Sequence, residues 1–185
     1  MITLKVCLLG DGATGKTALR ERFLGRGFTS SYLMTIGADF ALQNIELENG
    51  PKVRLQIWDL AGQPRFGEVR TLYYKGSHGG LIVFDLTRSD TFENIEKWID
   101  EAYNSLNKHI PFVLLGNKSD IRLKDEPDHV SSEKGEALAK KLSEKLGFPV
   151  KYLETSAKTG ENVRDAFNII TQTIYTLESN KTQKK

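Results

Sequence analysis

Short apolar runs alternate with amphipathic stretches along this chain, and the alternation predicts an α/β fold. Val53, Leu55 and Ile57 alternate with polar residues, as in a strand with one buried face. The run from Leu81 to Phe84 is continuously apolar, as in a strand that is buried on both faces. Six strands are predicted in this way, at 3–9, 39–47, 53–58, 81–84, 112–115 and 150–153.

Residues at helical spacing separate the predicted strands. Leu19 and Phe23 are four positions apart after the first strand, and Gly25 is suited to end that helix. Asp90 and Glu93 form a helix-start signature of the capping-box kind. Further helices are predicted at 65–74, 138–146 and 163–177, and the polar residues 178–185 are expected to form a flexible tail.

The pair Asn49-Gly50 is a strong signal for a tight turn between two strands. It predicts an antiparallel hairpin of the second and third strands, whereas the intervening helices predict parallel pairing of the others with right-handed crossovers. The predicted fold is therefore a doubly wound, mostly parallel six-stranded sheet with one antiparallel edge strand. In such sheets, ligands bind beyond the carboxyl ends of the strands.

A phosphate-binding loop follows the first strand without a gap, because residues 10–17 read G-x-x-x-x-G-K-T. Gly10, Gly12 and Gly15 allow left-handed backbone angles that turn N–H groups inward on an anion. The helix that begins near Gly15 directs its positive end to the same place. Lys16 would add a charge for the β- and γ-phosphates, and Thr17 a hydroxyl for Mg²⁺. The alternative, a chance match in a glycine-containing turn, is weakened by the flanking strand and helix.

Three further polar segments begin where predicted strands end. They are residues 59–63, 117–120 and 156–158, which read DLAGQ, NKSD and SAK. Because the carboxyl ends of parallel strands meet at one edge of a sheet, these segments and the phosphate loop are expected to form one site. The expected convergence of these segments is stronger evidence for a ligand-binding site than any one motif is.

Composition narrows the class of protein. A chain of 185 residues with 39% hydrophobic residues suits one globular domain. The formal net charge of +2 is too small to indicate nucleic-acid binding, and no apolar run approaches the roughly 18 residues of a membrane span. The single cysteine, Cys7, is expected to be a small buried core residue. We therefore expect a cytoplasmic protein that binds no nucleic acid.

With these motifs, the sequence resembles the Ras superfamily of small GTPases over residues 1–177, and within it the Rab branch. The five nucleotide motifs of that superfamily are matched by residues 10–17, Thr35, 59–63, 117–120 and 156–158. The segments that resemble Rab proteins are IGADF at 36–40, RLQIWD at 54–59, YYKG at 73–76 and VFDLT at 83–87. The resemblance implies one P-loop GTPase G domain over 1–177, followed by the tail.

The resemblance implies GTP or GDP as the ligand. Asp120 would accept two hydrogen bonds from the guanine N1–H and amino group, which adenine cannot supply. Asn117 would hold the loop, with the stem of Lys118 on one face of the base and Phe28 on the other, and the Ala157 N–H would meet the guanine carbonyl. The implied nucleotide-binding residues are Gly12, Ala13, Thr14, Gly15, Lys16, Thr17, Ala18, Phe28, Tyr32, Asn117, Lys118, Asp120, Ser156, Ala157 and Lys158.

The resemblance also implies a Mg²⁺ site and a switch. Thr17, Thr35 and, through water, Asp59 would hold the ion. Thr35 would bind it only when a γ-phosphate is present, and Gly62 would donate its N–H to that phosphate, so hydrolysis would release both loops. Gln63 would orient the attacking water. The implied catalytic residues are Gln63, Lys16, Gly62 and Thr35.

Protein partners are implied as well: effectors, exchange factors and GTPase-activating proteins at residues 30–40 and 60–75. Phe40, Trp58 and Tyr73 match an aromatic partner-binding patch, although three aromatics near a sheet edge could equally be core. We expect a monomer. Rab proteins usually end in prenylated cysteines, which the chain as given lacks, so membrane association would require a partner or a missing tail.

Two positions depart from the superfamily pattern. Leu60 replaces a usual threonine and Pro64 a usual glutamate, and the second change bears on catalysis.

We interpret the chain as a switch that hydrolyses GTP, with a role in vesicle or membrane traffic. The alternatives are a GTP-dependent binding module with negligible hydrolysis, and a P-loop ATPase or kinase. At single positions, Asp59 could be a structural carboxylate, Gln63 and Phe28 ordinary loop residues, and 117–120 a plain turn.

Overall fold

A computed structural model of the chain describes residues 1–28, 34–48 and 50–183, without the side chains of 181–183. Tyr32 and Asn49, which were assigned roles from the sequence, lie outside the described residues, as do residues 30–33 of the predicted partner-binding segment.

Within the described residues, six strands form one sheet. They are β1 (Ile2–Leu9), β2 (Ala38–Glu46), β3 (Lys52–Leu60), β4 (Gly79–Asp85), β5 (Phe112–Asn117) and β6 (Lys151–Thr155). Their order across the sheet is β2–β3–β1–β4–β5–β6. The edge strand β2 pairs antiparallel with β3, and the remaining pairs of this sheet are parallel. The predicted fold is confirmed, including the antiparallel hairpin.

Helices cover both faces of the sheet. They are α1 (Lys16–Phe23), α2 (Gly67–Tyr74), α3 (Ser89–Glu93), α4 (Ile95–Leu106), α5 (Ser132–Leu146) and α6 (Val163–Gln183), with 3₁₀ turns at Pro64–Phe66 and Ser119–Ile121. None of the helices in the described part of the chain is long and apolar enough to cross a membrane.

The period of two in β1 divides the core into two layers. Leu4, Val6 and Leu8 pack on the side of α1 and α6. Cys7 and Leu9 pack on the opposite side, with α4 and α5. Cys7 is 2% exposed, which confirms that it is a buried core residue. With both faces covered, the carboxyl edge of the sheet is left to carry the polar loops.

Several helix boundaries differ from the sequence prediction, and α5, for example, begins at Ser132 rather than at 138. The helix-start signature at Asp90 and Glu93 falls inside the short helix α3, which begins at Ser89 and is separated from α4 by Asn94. The last helix continues to Gln183, since no glycine or proline follows Val163 to end it. Residues 178–183 are therefore helical rather than irregular. The division into a domain at 1–177 and a tail at 178–185 stays a prediction.

Candidate functional site

The loop between β1 and α1 has the backbone of an anion-binding nest. Gly10, Ala13 and Gly15 have positive φ angles of 132°, 63° and 96°. Gly12 does not, so the prediction of a left-handed Gly12 was wrong, and Ala13 takes that conformation in spite of its Cβ. Gly15 is needed for a second reason: a Cβ there would lie 2.2 Å from Asn117 Nδ2.

The side chain of Lys16 lies inside this loop. Its side chain is 6% exposed, and its Nζ donates to the carbonyls of Gly10 and Asp11, both at 2.7 Å. Burial lowers the pKa of Lys16 to about 8, and the charges of Asp59 and Asp11 oppose that change. An anion in the loop would favour the charged ammonium further. The Thr14 hydroxyl also donates to the Asp11 carbonyl, at 3.0 Å, so side chains of the loop brace its own backbone.

Three oxygens from different elements converge beside Lys16. The Thr17 hydroxyl lies 2.5 Å from Asp59 Oδ2 and 3.1 Å from the Thr35 hydroxyl, which is 3.5 Å from the same carboxylate oxygen. Asp59 is fully buried, its pKa is raised by burial, and its Oδ1 has no hydrogen bond among the described residues.

This arrangement suits a hard cation. Adjacent ligands of an octahedral Mg²⁺ are about 3 Å apart, as the two hydroxyls are, and Mg²⁺ binds oxygen. The unpaired Oδ1 of Asp59 favours a ligand-binding carboxylate over a purely structural one.

The segment after β3 packs on the phosphate loop. A Cβ on Gly62 would lie 2.5 Å from the Asp11 carbonyl carbon, so only glycine fits this approach. A Cβ on Gly12 would lie 3.4 Å from Gln63 Nε2, which places the glutamine beside the loop. Gln63 has extended angles (φ −79°, ψ 142°), and Pro64 opens the 3₁₀ turn, as expected for a proline at a helix start.

A separate cavity of about 250 Å³ opens at the ends of β5 and β6. Its volume suits a single planar ring system rather than a whole nucleotide. Several residues predicted to bind the base line it together with Ile121, which the sequence analysis did not select. The lining residues are Gly15, Ala18, Phe28, Asn117, Lys118, Asp120, Ile121, Ala157 and Lys158.

Asn117 connects this cavity with the phosphate loop. Its Nδ2 donates to the Thr14 carbonyl at 2.8 Å, and its Oδ1 accepts from the Thr155 hydroxyl at 3.2 Å. The Ala157 N–H, which was expected to meet the guanine carbonyl, donates to Asn117 Oδ1 at 3.3 Å here. Asn117 is 1% exposed, so its buried side chain holds the phosphate loop and the loop after β6 from the protein interior.

Asp120 lies at the rim of the cavity and is exposed. Its Oδ1 accepts from the hydroxyl of the fully buried Ser156 at 2.6 Å, which orients the carboxylate. Lys118 has a positive φ of 69°, and its Nζ pairs with Asp85 at 2.6 Å. Of the predicted base-binding residues, Tyr32 alone falls outside the described part of the chain.

The sequence analysis missed an arginine that holds the segment after β3. Arg70 donates to the carbonyls of Ala61 (3.0 Å) and Gln63 (2.8 Å). It makes two further bonds to Glu101, at 2.9 and 2.8 Å, and lies over the Trp98 ring at 4.4 Å. The sequence held one signal: Arg70 lies four positions before the apolar Tyr74, on the same helix face.

Helix α4 also holds the phosphate loop. The Trp98 indole N–H donates to Asp11 Oδ1 at 2.7 Å, and the Asn94 amide donates to Asp11 Oδ2 at 2.8 Å. One helix therefore positions Asp11 on one side and, through Arg70, the backbone of Gln63 on the other.

The Arg70–Glu101 pair predicts a loss of stability in Glu101→Gln. Arg70 is 4% exposed, so removing its counterion leaves a buried charge and should cost about 3 kcal/mol, or about 10 °C in melting temperature. Glu144→Gln, at an exposed site on α5, is the matched control for thermal unfolding at pH 7. Equal melting temperatures for Glu101→Gln and the parent would contradict the prediction.

The difference in stability between the parent and Glu101→Gln should depend on pH. Burial raises the pKa of Glu101, but the bonds from Arg70 and Tyr74 outweigh it and lower the pKa overall. A carboxyl with a lowered folded-state pKa stabilises the protein above its unfolded pKa of about 4.3, and that contribution is lost as pH falls through the folded pKa. The gap between parent and Glu101→Gln should therefore narrow below about pH 4.

The phosphate loop, the converging oxygens and the base cavity at one sheet edge define a P-loop nucleotide-binding protein. The family model described as Ras family matches residues 5–176. Ras-related protein Rab-8B of Homo sapiens and that of Pongo abelii are each 41% identical to this chain over 172 residues, covering 93% of this chain and 78% of the relative. Ras-related protein Rab-8 of Diplobatis ommata is 40% identical over 172 residues, covering 93% and 77%.

The chain therefore belongs to the Ras family. It is a Rab-like small GTPase, a guanine-nucleotide switch that hydrolyses GTP. This membership disfavours both the non-hydrolysing binding module and the ATPase or kinase.

Proposed function

We propose that this protein is a Mg²⁺-dependent switch that acts as a monomer in vesicle or membrane traffic. It is cytoplasmic and reaches membranes through a partner or a lipidated tail. The observation that carries the switch is the contact of Thr35, from the loop before β2, with Thr17 and Asp59 beside the phosphate loop. A γ-phosphate and its metal would hold this loop, and their loss would release it.

Different residues of the site would bind the phosphates and the metal. Lys16 and the loop N–H groups would bind the phosphates, and Thr17, Thr35 and, through water, Asp59 would hold the metal. When bound, Mg²⁺ neutralises charge on the β- and γ-phosphate oxygens. The Gly62 N–H would bind the γ-phosphate, a role supported by the close approach of its backbone to Asp11.

Hydrolysis depends on Gln63, which we propose orients the attacking water. Its side chain lies beside Gly12, and its carbonyl accepts a bond from Arg70 at 2.8 Å. The residue is thus fixed at its backbone, and its side chain lies on the side of the phosphate loop. Positioning of this kind, rather than covalent chemistry, supplies most of the rate in phosphoryl transfer.

Partner proteins would bind an aromatic row at the end of the hairpin. Phe40 and Trp58 face each other across β2 and β3 and stack at 5.2 Å, and Tyr73 of α2 follows at 5.4 Å from Trp58. Phe40 is 53% exposed, which favours a binding surface over the alternative of core. Ile36 and Leu72, 77% and 74% exposed, enlarge the apolar surface nearby.

Thr17→Asn tests the metal and the switch together. The substitution should weaken binding of Mg²⁺·GTP at least tenfold more than binding of GDP, because the hydroxyl ligand matters most when the ion bridges two phosphates. Thr176→Asn, exposed on α6, is the control. Titration calorimetry with each nucleotide, with Mg²⁺ and with EDTA, gives the four affinities.

Hydrogen exchange completes this test. Residues 30–40 and 60–75 of the parent should be protected in the GTP-analogue state relative to GDP. Equal exchange in the two states would refute the switch, and equal losses of GTP and GDP affinity in Thr17→Asn would remove Thr17 from the metal site.

A further inference from the structure

Arg88 connects the phosphate loop with the carboxyl end of β4. It follows β4 and precedes α3. One guanidinium nitrogen donates to the carbonyl of Gly12 in the phosphate loop at 2.9 Å. Its Nε lies 3.4 Å from Asp85 Oδ2 at the end of β4. The planar fork of arginine can make both contacts at once.

Asp85 joins this contact to the loop that binds the base. It is 1% exposed, and its Oδ2 also pairs with Lys118 Nζ at 2.6 Å. Its Oδ1 accepts from the N–H and hydroxyl of Thr87, at 2.9 and 2.7 Å. Burial alone would raise the pKa of Asp85, but these partners lower it, so the carboxylate is charged. One buried anion therefore contacts both the arginine that binds the phosphate loop and the lysine of the base loop.

The result is a continuous tie from Gly12 through Arg88 and Asp85 to Lys118. A second tie, from Asn117 to the Thr14 carbonyl, lies in the interior. The Arg88 side chain is 39% exposed, so the connection through Arg88 is accessible to water, unlike the one through Asn117. Opening of either loop would strain it.

We infer that Arg88 is a positioning residue for nucleotide retention, which couples the phosphate loop to the base loop so that both must open before nucleotide leaves. The inference rests on the proposed guanine-nucleotide site and adds a residue to it that no motif includes. When the tie is intact, contacts to the base and contacts to the phosphates break together in the transition state for release. Without it, the phosphate side opens first and release no longer depends as strongly on the base.

The experiment measures release of a fluorescent GDP from the full chain after a chase with excess GDP, in Mg²⁺. Arg88→Met keeps the length of the side chain without its charge, and should speed release about tenfold, the size expected for a charge-assisted hydrogen bond. Arg88→Lys keeps the charge but not the fork, and should stay within about threefold of Arg88→Met. Arg164→Met, exposed on α6, should release at the parent rate.

The same chase with inosine diphosphate, which lacks the amino group that Asp120 would bind, separates coupling from general loosening. The ratio of inosine diphosphate to GDP release rates should fall at least threefold in Arg88→Met. Unchanged GDP release, an unchanged ratio, or full rescue by Arg88→Lys would each overturn the inference. A parent that fails to retain GDP at all would instead overturn the proposed function.

Discussion

Asp120→Asn should lower the affinity for GTP about a thousandfold and improve binding of xanthosine triphosphate. A site built to pair with a polar edge rejects a base that leaves its groups unpaired, by factors of about 10⁴ in fully enclosed sites. We expect a smaller factor because Asp120 is at the exposed rim. The Ser156 hydroxyl at 2.6 Å would orient the new amide, whose N–H₂ can donate to the xanthine carbonyl.

Competition binding with both nucleotides measures this change. Asp125→Asn removes a charge from an exposed position in the following loop and should leave both affinities unchanged. Parental GTP affinity in Asp120→Asn would exclude Asp120 from base recognition, and a uniform loss for both nucleotides would mean that the substitution damages the pocket rather than its selectivity.

Gln63→Leu should slow single-turnover GTP hydrolysis about a hundredfold, the usual cost of misplacing a reacting group by about an ångström. Its side chain lies beside Gly12, where the γ-phosphate would end. Pro64→Glu should change the rate by less than about tenfold, or about 1.4 kcal/mol, because Pro64 sets the start of the 3₁₀ turn while Gln63 meets the water.

Phosphate release at saturating Mg²⁺ compares these two variants with the parent and with Gln172→Leu on α6 as control. Hydrolysis by Gln63→Leu at the parent rate would show that another group positions the water. A hundredfold acceleration in Pro64→Glu would identify the proline as a brake on catalysis.

The order of elements was predictable because each strand carries its own pattern. Leu4, Val6 and Leu8 alternate with residues of the opposite layer, and the Asn49-Gly50 pair marks the hairpin. The loops of the site were predictable for the same reason, since each begins at the end of such a strand. The end of α6 was not, because the apolar stripe stops at Leu177 while the backbone continues as a helix.

The contacts that brace the site had no local signal. Asp11 and Trp98 are 87 positions apart and meet only because the fold brings α4 beside the phosphate loop. Arg70 and Glu101 are 31 positions apart on different helices. The loop motif, likewise, fixes residue types but not which residue turns left-handed, so the exchange of roles between Gly12 and Ala13 could be seen only in the backbone.

The two bonds from Lys16 to the Gly10 and Asp11 carbonyls have a kinetic consequence. A loop that its own side chains hold in place loses little conformational entropy when it binds an anion, so pre-organisation favours binding without a slow rearrangement. Association should then be limited mainly by encounter, and differences in affinity among variants should lie in residence time. The state of the switch would then change at the pace of nucleotide departure rather than of nucleotide capture.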